Sequence, residues 1–516
     1  MTYVFGVDIG TQSTKALLMS TDGRIIAQAS VGYQFEQPHP LWAQQWPDVW
    51  LNAVYEAVAC CTARSQVPAE QIKAICISSL YGGSGIAVDA DINALHPCLI
   101  WMDRRAIREA DWVREHLDVE ALMRITGNGV DSYYGYTKML WIKRNHPHVW
   151  ARTRYLLPPG SYVHYHLTGE LAVDHSSAGN IGGVYDMQAR QWSVEMLDAL
   201  GIDPALMPPQ LVAPGDIVGG LLPAAATRLG LLPGTPVVAG GVDAAMASLA
   251  AGVIEPGNHV AMMGTSMCWG FITPSSGHSH GLVSMPYVHD SARHTYRFGG
   301  AITAGAAVSW FREQFCSQEQ QVAAQSPGLE VHQLIEQAAA TTPAGAEGLV
   351  FLPYLMGERS PIWDAKASGA YVGLSLYHTK AHLYRAVLEG LAFALRHNIE
   401  AGSQGAAHLD PELIVVGGAT ASDLWMQIIA DITGYPVLTI EQQVEAPLGG
   451  ALLAALAIGA IDDISRIREW RTLRPRAQPN LQNTALYDQM FAHYCAIYQA
   501  LKPTMHGLAH LGRMEE

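Results

Sequence analysis

Two aspartates in this chain each close an apolar run and stand beside glycine- or hydroxyl-rich residues. Asp8 lies in YVFGVDI, just before GTQSTK, and Asp243 follows VVAGGV and opens AAMASLAAG. A Gly/Thr/Ser turn after a strand points several backbone N–H groups and hydroxyls at one spot, where a phosphate can sit. A second such turn, MMGTSM, lies past Asp243. Two turns of this kind on opposite sides of a cleft would grip a nucleotide. A carboxylate beside a bound phosphate is unfavourable unless a cation bridges them, and Mg²⁺ prefers carboxylate, phosphate and several waters. Asp8 is therefore a metal candidate. Asp243 can accept a proton from a substrate hydroxyl or N-cap the helix it opens, and the two roles are compatible. No G-x4-G-K-[ST] occurs, so the phosphate site is not a Walker loop.

The elements that must position these residues follow from apolar runs and turn residues. YVFGVDI, KALLMS and RIIAQASV read as three strands, with TDG as a turn. Pro47 to Arg64 has helical periodicity with proline at its start. IKAICISSL and GIAVD are further strands, and Asp103 to Leu117, Thr137 to Asn145 and Ser161 to Leu167 are helical. NHVAMMG, the TSM turn and CWGFIT then repeat the strand–turn–strand opening, and ELIVVGG is a strand feeding a turn. PLGGALLAALAIGAI is apolar but short of the ~18 residues of a membrane span, and reads as a tightly packed helix.

The chain of 516 residues is too long for one ordinary core. The reading places an N-terminal domain at 1–253, a second at 254–465 and a helical tail packed on the second at 466–516. A formal net charge of -15 argues against a broad nucleic-acid-binding face. The seven cysteines form no C-x-x-C pair, and MTYVFGVDIG carries no signal-peptide pattern. A reduced, cytoplasmic protein is expected. His278, His280, His289 and His294 cluster among Pro, Gly and Ser, which suits a loop or hairpin better than a metal site.

Taken in order, VFGVDIGTQSTKALL, GGVDAAMASLAAG, VAMMGTSMCWG, FLPYLMGERSP and VVGGATASDLWMQIIADITG resemble the FGGY carbohydrate kinase family, and the FLPYLMGERSP wording is most similar to its xylulokinase branch. The resemblance runs from about Tyr3 to about Ile461. It implies an α/β fold of two ribonuclease H-like, actin- or hexokinase-type domains flanking a nucleotide-binding cleft. It also implies transfer of the γ-phosphoryl group of ATP, with Mg²⁺, to a hydroxyl of a small sugar, a xylulose-like ketose. Asp243 would be the base, Asp8 and Asp243 would lie at the metal, and Thr11, Gln12, Ser13 and Lys15 would line the phosphates. Gly264 and Thr265 would form the second phosphate turn. Gly305 and Ser309 align with nucleotide-contact positions, or the glycine serves close helix packing. Gly417, Gly418 and Ser422 match an adenosine-binding turn. Dimers are common in the family, so a homodimer is the implied assembly.

On the substrate side, the resemblance places Tyr133, Trp101, Asp103 and Arg104 at the sugar, with a helix cap as the other role for Asp103. The largest departure is SSLYGGSGIAVD. Family members carry Arg-Glu or Met-His at the places of Gly82 and Gly83. Two glycines leave room, or let backbone N–H groups read hydroxyls, and they suggest a bulkier or differently presented sugar. Two rival readings remain: a glycerol- or erythritol-type polyol kinase, and a nucleotide-gated sensor without kinase activity. Retention of both Asp8 and Asp243 opposes the sensor.

Overall fold

The apolar run Tyr3–Ile9 forms β1, buried along most of its length as a central strand must be. It is followed by β2 (Ser13–Ser20), β3 (Ile25–Gly32), β4 (Ile72–Ser79), β5 (Ile217–Gly220) and β6 (Pro236–Val242). These six build one sheet in the order β5-β6-β4-β1-β2-β3. The strands from β1 to β3 are antiparallel, whereas β4 runs parallel to both β1 and β6. The computed structural model describes residues 1–516 except 275–280, 327–329, 405–407, 443–444 and 512–516.

The second half repeats the plan. Its strands are β7 (His259–Met263), β8 (Met267–Pro274), β9 (Val283–Pro286), β10 (His294–Gly299), β11 (Leu413–Val416), β12 (Val437–Ile440) and β13 (Leu473–Ala477). Their order is β9-β10-β8-β7-β11-β12-β13. Here too an antiparallel set leads, through β7, into strands running parallel to it. The run β3-β2-β1-β4-β6 thus corresponds to β10-β8-β7-β11-β12. Parallel neighbours need crossover connections, which helices supply.

The helices include α1 (Pro47–Ser65), α2 (Gly135–Asn145), α3 (Pro159–Thr168), α4 (His175–Asn180), α5 (Asp243–Ala250), α6 (Gly305–Phe315), α7 (Lys380–Ser403), α8 (Asp423–Thr433), α9 (Ala446–Ala457) and α10 (Leu481–Leu511). α9 is the apolar segment of the sequence, and Ala446 to Ala455 are all buried. It belongs to the second half in sequence but packs on β1 of the first sheet. A Cβ on Gly6 would lie 1.8 Å from the Pro447 carbonyl oxygen, and one on Gly449 would lie 2.5 Å from that of Met246 in α5. Close approach of β1, α9 and α5 therefore requires glycine, and α5 and α9 cross between the two sheets.

The tail is not wholly helical. Leu473–Ala477 pairs antiparallel with β12 as an edge strand before α10 begins. α10 buries Tyr487, Phe491, Tyr494 and Tyr498 against the second half. All seven cysteines are free. Among the described residues, no helix is long and apolar enough to cross a membrane. His278 and His280 lie outside the described residues.

Candidate active site

Asp8 faces Lys15 across β2 and Ser78 across β4. Ser78 Oγ donates to Asp8 Oδ1 at 2.7 Å. Burial pushes the Asp8 carboxyl well above its ordinary range, while Ser78 and Lys15 pull it down. Asp243 is the first residue of α5. The N-cap is Val242, so the capping role does not hold. Asp243 Oδ1 instead accepts from the Ala244 N–H at 2.6 Å. Burial and then the charge of Asp8 push the Asp243 carboxyl upward, against the Ala244 N–H and the Arg359 cation. Asp243, buried beside the negative charge of Asp8, holds its proton more tightly than a free carboxyl, as a like charge in a buried site requires.

Both aspartates line one cavity of ≈ 390 Å³ between the halves. From the first half it also meets Thr11, Trp101 and Tyr133; from the second it meets Gly264 and Gly417. Trp101 Nε1 donates to Thr11 Oγ1 at 3.0 Å, tying the first turn to the segment that carries Trp101. Gly264 accepts from the Gly305 N–H at 2.9 Å, and Thr265 accepts from Ala304 and Ala306. The second turn is thereby seated on the start of α6. A Cβ on Gly305 would lie 2.7 Å from the Gly264 carbonyl oxygen, so close packing accounts for that glycine. Gly417 has φ +98° and sits against Met263, whereas Gly418 has open space where a Cβ would be.

Other expected site residues lie elsewhere. Gln12 is exposed and its carbonyl accepts from Tyr33 N at 2.9 Å, while the Ser13 carbonyl closes the first turn by accepting from Gly10 N at 2.9 Å. Lys15 Nζ pairs with Glu445 Oε1 at 2.6 Å, linking β2 to the segment that enters α9. Ser309 accepts from Arg312, and Ser422 is the N-cap of α8, accepting from Trp425 at 3.0 Å. Asp103 is fully buried and caps nothing. Its carboxylate accepts from Ala43 N at 2.7 Å and from Arg105 Nε at 2.8 Å, and the next helix starts only at Ile107. It clamps the segment that presents Trp101.

Gly82 and Gly83 leave no room. A Cβ on Gly82 would lie 2.2 Å from Pro159 Cδ, and one on Gly83 would lie 1.9 Å from the Leu99 carbonyl oxygen. Tyr81, not either glycine, reaches the cavity wall.

Among the cavity residues that sequence reasoning missed are Arg359, Cys268 and Asn180. Arg359 lies within GERSP, yet nothing in that segment's spacing ties it to Asp8 or Asp243. Its Nη2 lies 3.7 Å from Cys268 Sγ, and its guanidinium carbon is 5.1 Å from the Trp101 ring centre. Glu358 Oε1 fixes the segment by accepting from the N–H groups of Ile302 and Arg359 at 2.9 and 2.7 Å.

A carboxylate pair and residues of two glycine-rich turns thus meet at one walled recess. Among the described residues, no group of three or more His, Cys, Asp and Glu side chains is placed to hold a metal. A cation here would be held by the aspartate pair, with phosphate and water completing its shell, which is the habit of Mg²⁺.

Residues 3–250 match the model for the FGGY family of carbohydrate kinases, N-terminal domain, and residues 259–458 match its C-terminal domain. The chain is 30% identical to a xylulose kinase of Bacillus subtilis over 97% of its own length and 98% of the relative's. It is 29% identical to a gluconokinase of Bacillus licheniformis, covering 97% and 96%. The crystal structure of a ligand-bound xylulose kinase from Lactobacillus acidophilus superposes with a TM-score of 0.90 at 27% identity, covering 98% and 100%.

Proposed function

The chain belongs to the FGGY family of carbohydrate kinases, phosphotransferases with an alcohol group as acceptor, and we propose that it transfers the γ-phosphoryl group of ATP to a hydroxyl of a xylulose-like ketose. The observation that carries this reading is that Asp8, Asp243 and the turns at Thr11 and Gly264 share one cavity. Asp243 accepts the proton of the attacking hydroxyl. Arg359 favours the ionised form of Asp243 that this role needs. The turns hold the phosphates through their N–H groups, and Trp101 and Tyr133 wall the sugar side. Mg²⁺, held by Asp8 and Asp243, would neutralise phosphate charge when bound. Closure of the halves excludes water, so that the sugar rather than water receives the phosphoryl group.

Coupled ADP release against ketoses, aldoses, polyols and sugar acids tests this, with wild type beside Asp243→Asn. Sugar-dependent turnover is expected, falling by about 10²–10⁴ in the variant. No stimulation by any acceptor would sink the reading. A second reading rests on Arg359, which is buried and forms no ion pair among the described residues. An aldonate carboxylate would satisfy that cation, and a gluconokinase stands among the relatives. The ratio of kcat/KM for ketose and aldonate in the same panel decides between the two.

A further inference from the structure

Asn180 ends α4, is 0% exposed, and lines the cavity that holds Asp243 and Tyr133. Neither its Oδ1 nor its Nδ2 has a hydrogen-bond partner among the described residues. Buried amides are almost always paired, because leaving both ends unsatisfied forfeits their hydration with no return.

The backbone around Asn180 is held on several sides. Asp174 caps the start of α4 by accepting from Ser177 N at 2.8 Å. A Cβ on Gly179 would lie 2.5 Å from Pro286 Cδ of β9, and one on Gly182 would lie 2.8 Å from the Tyr134 ring. The Ile181 carbonyl accepts from Gly135 N at 3.0 Å. Asn180 is thus fixed in place with its amide uncommitted, as a preorganised contact requires.

Resting on the kinase reading above, we propose that Asn180 is a specificity-determining residue that reads the sugar. Its amide donates to one oxygen of the acceptor and accepts from an adjacent hydroxyl. Gly82 and Gly83 have no side chain to do this, and Tyr81 and Tyr133, which line the same cavity, each offer a single hydroxyl where the amide offers two donors and an acceptor. The amide carries two donors and an acceptor and no charge. It therefore suits a vicinal pair of hydroxyls, or a carbonyl beside a hydroxyl, and it acts at a point on the sugar distinct from the hydroxyl facing Asp243.

Steady-state kinetics of wild type, Asn180→Ala and Asn180→Asp on the best acceptor and its monodeoxy analogues test the assignment. The expected result is a sugar KM raised about 10- to 100-fold in both variants, with the KM for ATP and the Tm unchanged. One deoxy analogue should cost wild type a similar factor and cost Asn180→Ala almost nothing further, because residue and hydroxyl form one contact. If Asn180→Ala does not fold, the near-isosteric Asn180→Asp decides. A wild-type sugar KM in the folded variants, or losses that simply multiply for every analogue, would overturn the proposal. Absence of sugar-dependent turnover in wild type itself would instead overturn the kinase reading.

Discussion

Lys138 is fully buried, and its ammonium donates to the carbonyls of Ile100 at 2.7 Å and Trp101 at 3.4 Å, directly behind the cavity wall. Burial drives its pKa down to about 7, against the pull of Asp103. The unfolded chain holds this proton up to about 10.4. Between pH 7 and about 10 the unfolded state therefore binds more protons, and stability rises with pH through that window. Below 7 both states are protonated and the slope vanishes. The stability of wild type minus that of Lys138→Met should accordingly increase from pH 7 to 9.5, read as urea midpoints; parallel profiles would refute the assignment. Neither Lys138 nor Asp103 shows its role in the sequence. A motif can mark a segment as substrate-facing, but whether each side chain points at the ligand or clamps the wall depends on partners far along the chain. For Asp103 those include Ala43. Asn180 was invisible for a related reason: its signal is the absence of a partner, and only packing shows that.

At the scale of elements, β1, α5 and α9 set the floor of the cleft, and glycine sets their spacing. In Gly6→Ala the new methyl would collide with the backbone of α9, which cannot swing aside as a side chain would. A loss of about 3 kcal/mol is expected, the upper end for overpacking, measured by chemical denaturation. Gly418→Ala is the counterpart. It has open space and an ordinary φ, so stability should stay within about 0.5 kcal/mol. If the adenosine sits against Gly418, the KM for ATP should nevertheless rise. An unchanged KM would remove Gly418 from the nucleotide site. The strands that open each half were legible because apolar runs ending in glycine and hydroxyl turns have few other conformations available. The placement of α9 was not, because a helix apolar on all sides carries no indication of which sheet receives it. LRPRA, as β13, was equally hidden: its side chains are mostly exposed and it joins the sheet through backbone pairing.

Across the whole molecule, the two halves meet at the crossing of α5 and α9, and their turns confront each other over one cavity. The Lys15–Glu445 pair spans from the first sheet to the segment entering α9, but about a third or more of each side chain is exposed. Such a pair contributes at most about 1 kcal/mol and cannot by itself hold the halves shut. On the kinase reading, closure draws on ligands that touch both sides at once. Asp8, Thr11 and Tyr133 belong to one half of the cavity wall and Gly264, Gly417 and Arg359 to the other. A nucleotide bound alone would close the halves partly, and a sugar bound against Asp243 and Arg359 would complete the closure. The two ligands are thereby coupled through a shared conformational equilibrium. A ligand at 100 times its Kd stabilises a protein by about 2.7 kcal/mol. With a non-hydrolysable ATP analogue, Mg²⁺ and sugar together, the rise in Tm should exceed the sum of the rises with nucleotide and sugar singly. Chelation of Mg²⁺ with EDTA should remove most of the nucleotide's share, since Asp8 and Asp243 would then face phosphate without a bridging charge. Strictly additive shifts would mean that the halves do not move together. A nucleotide shift indifferent to EDTA would take the metal away from the aspartate pair.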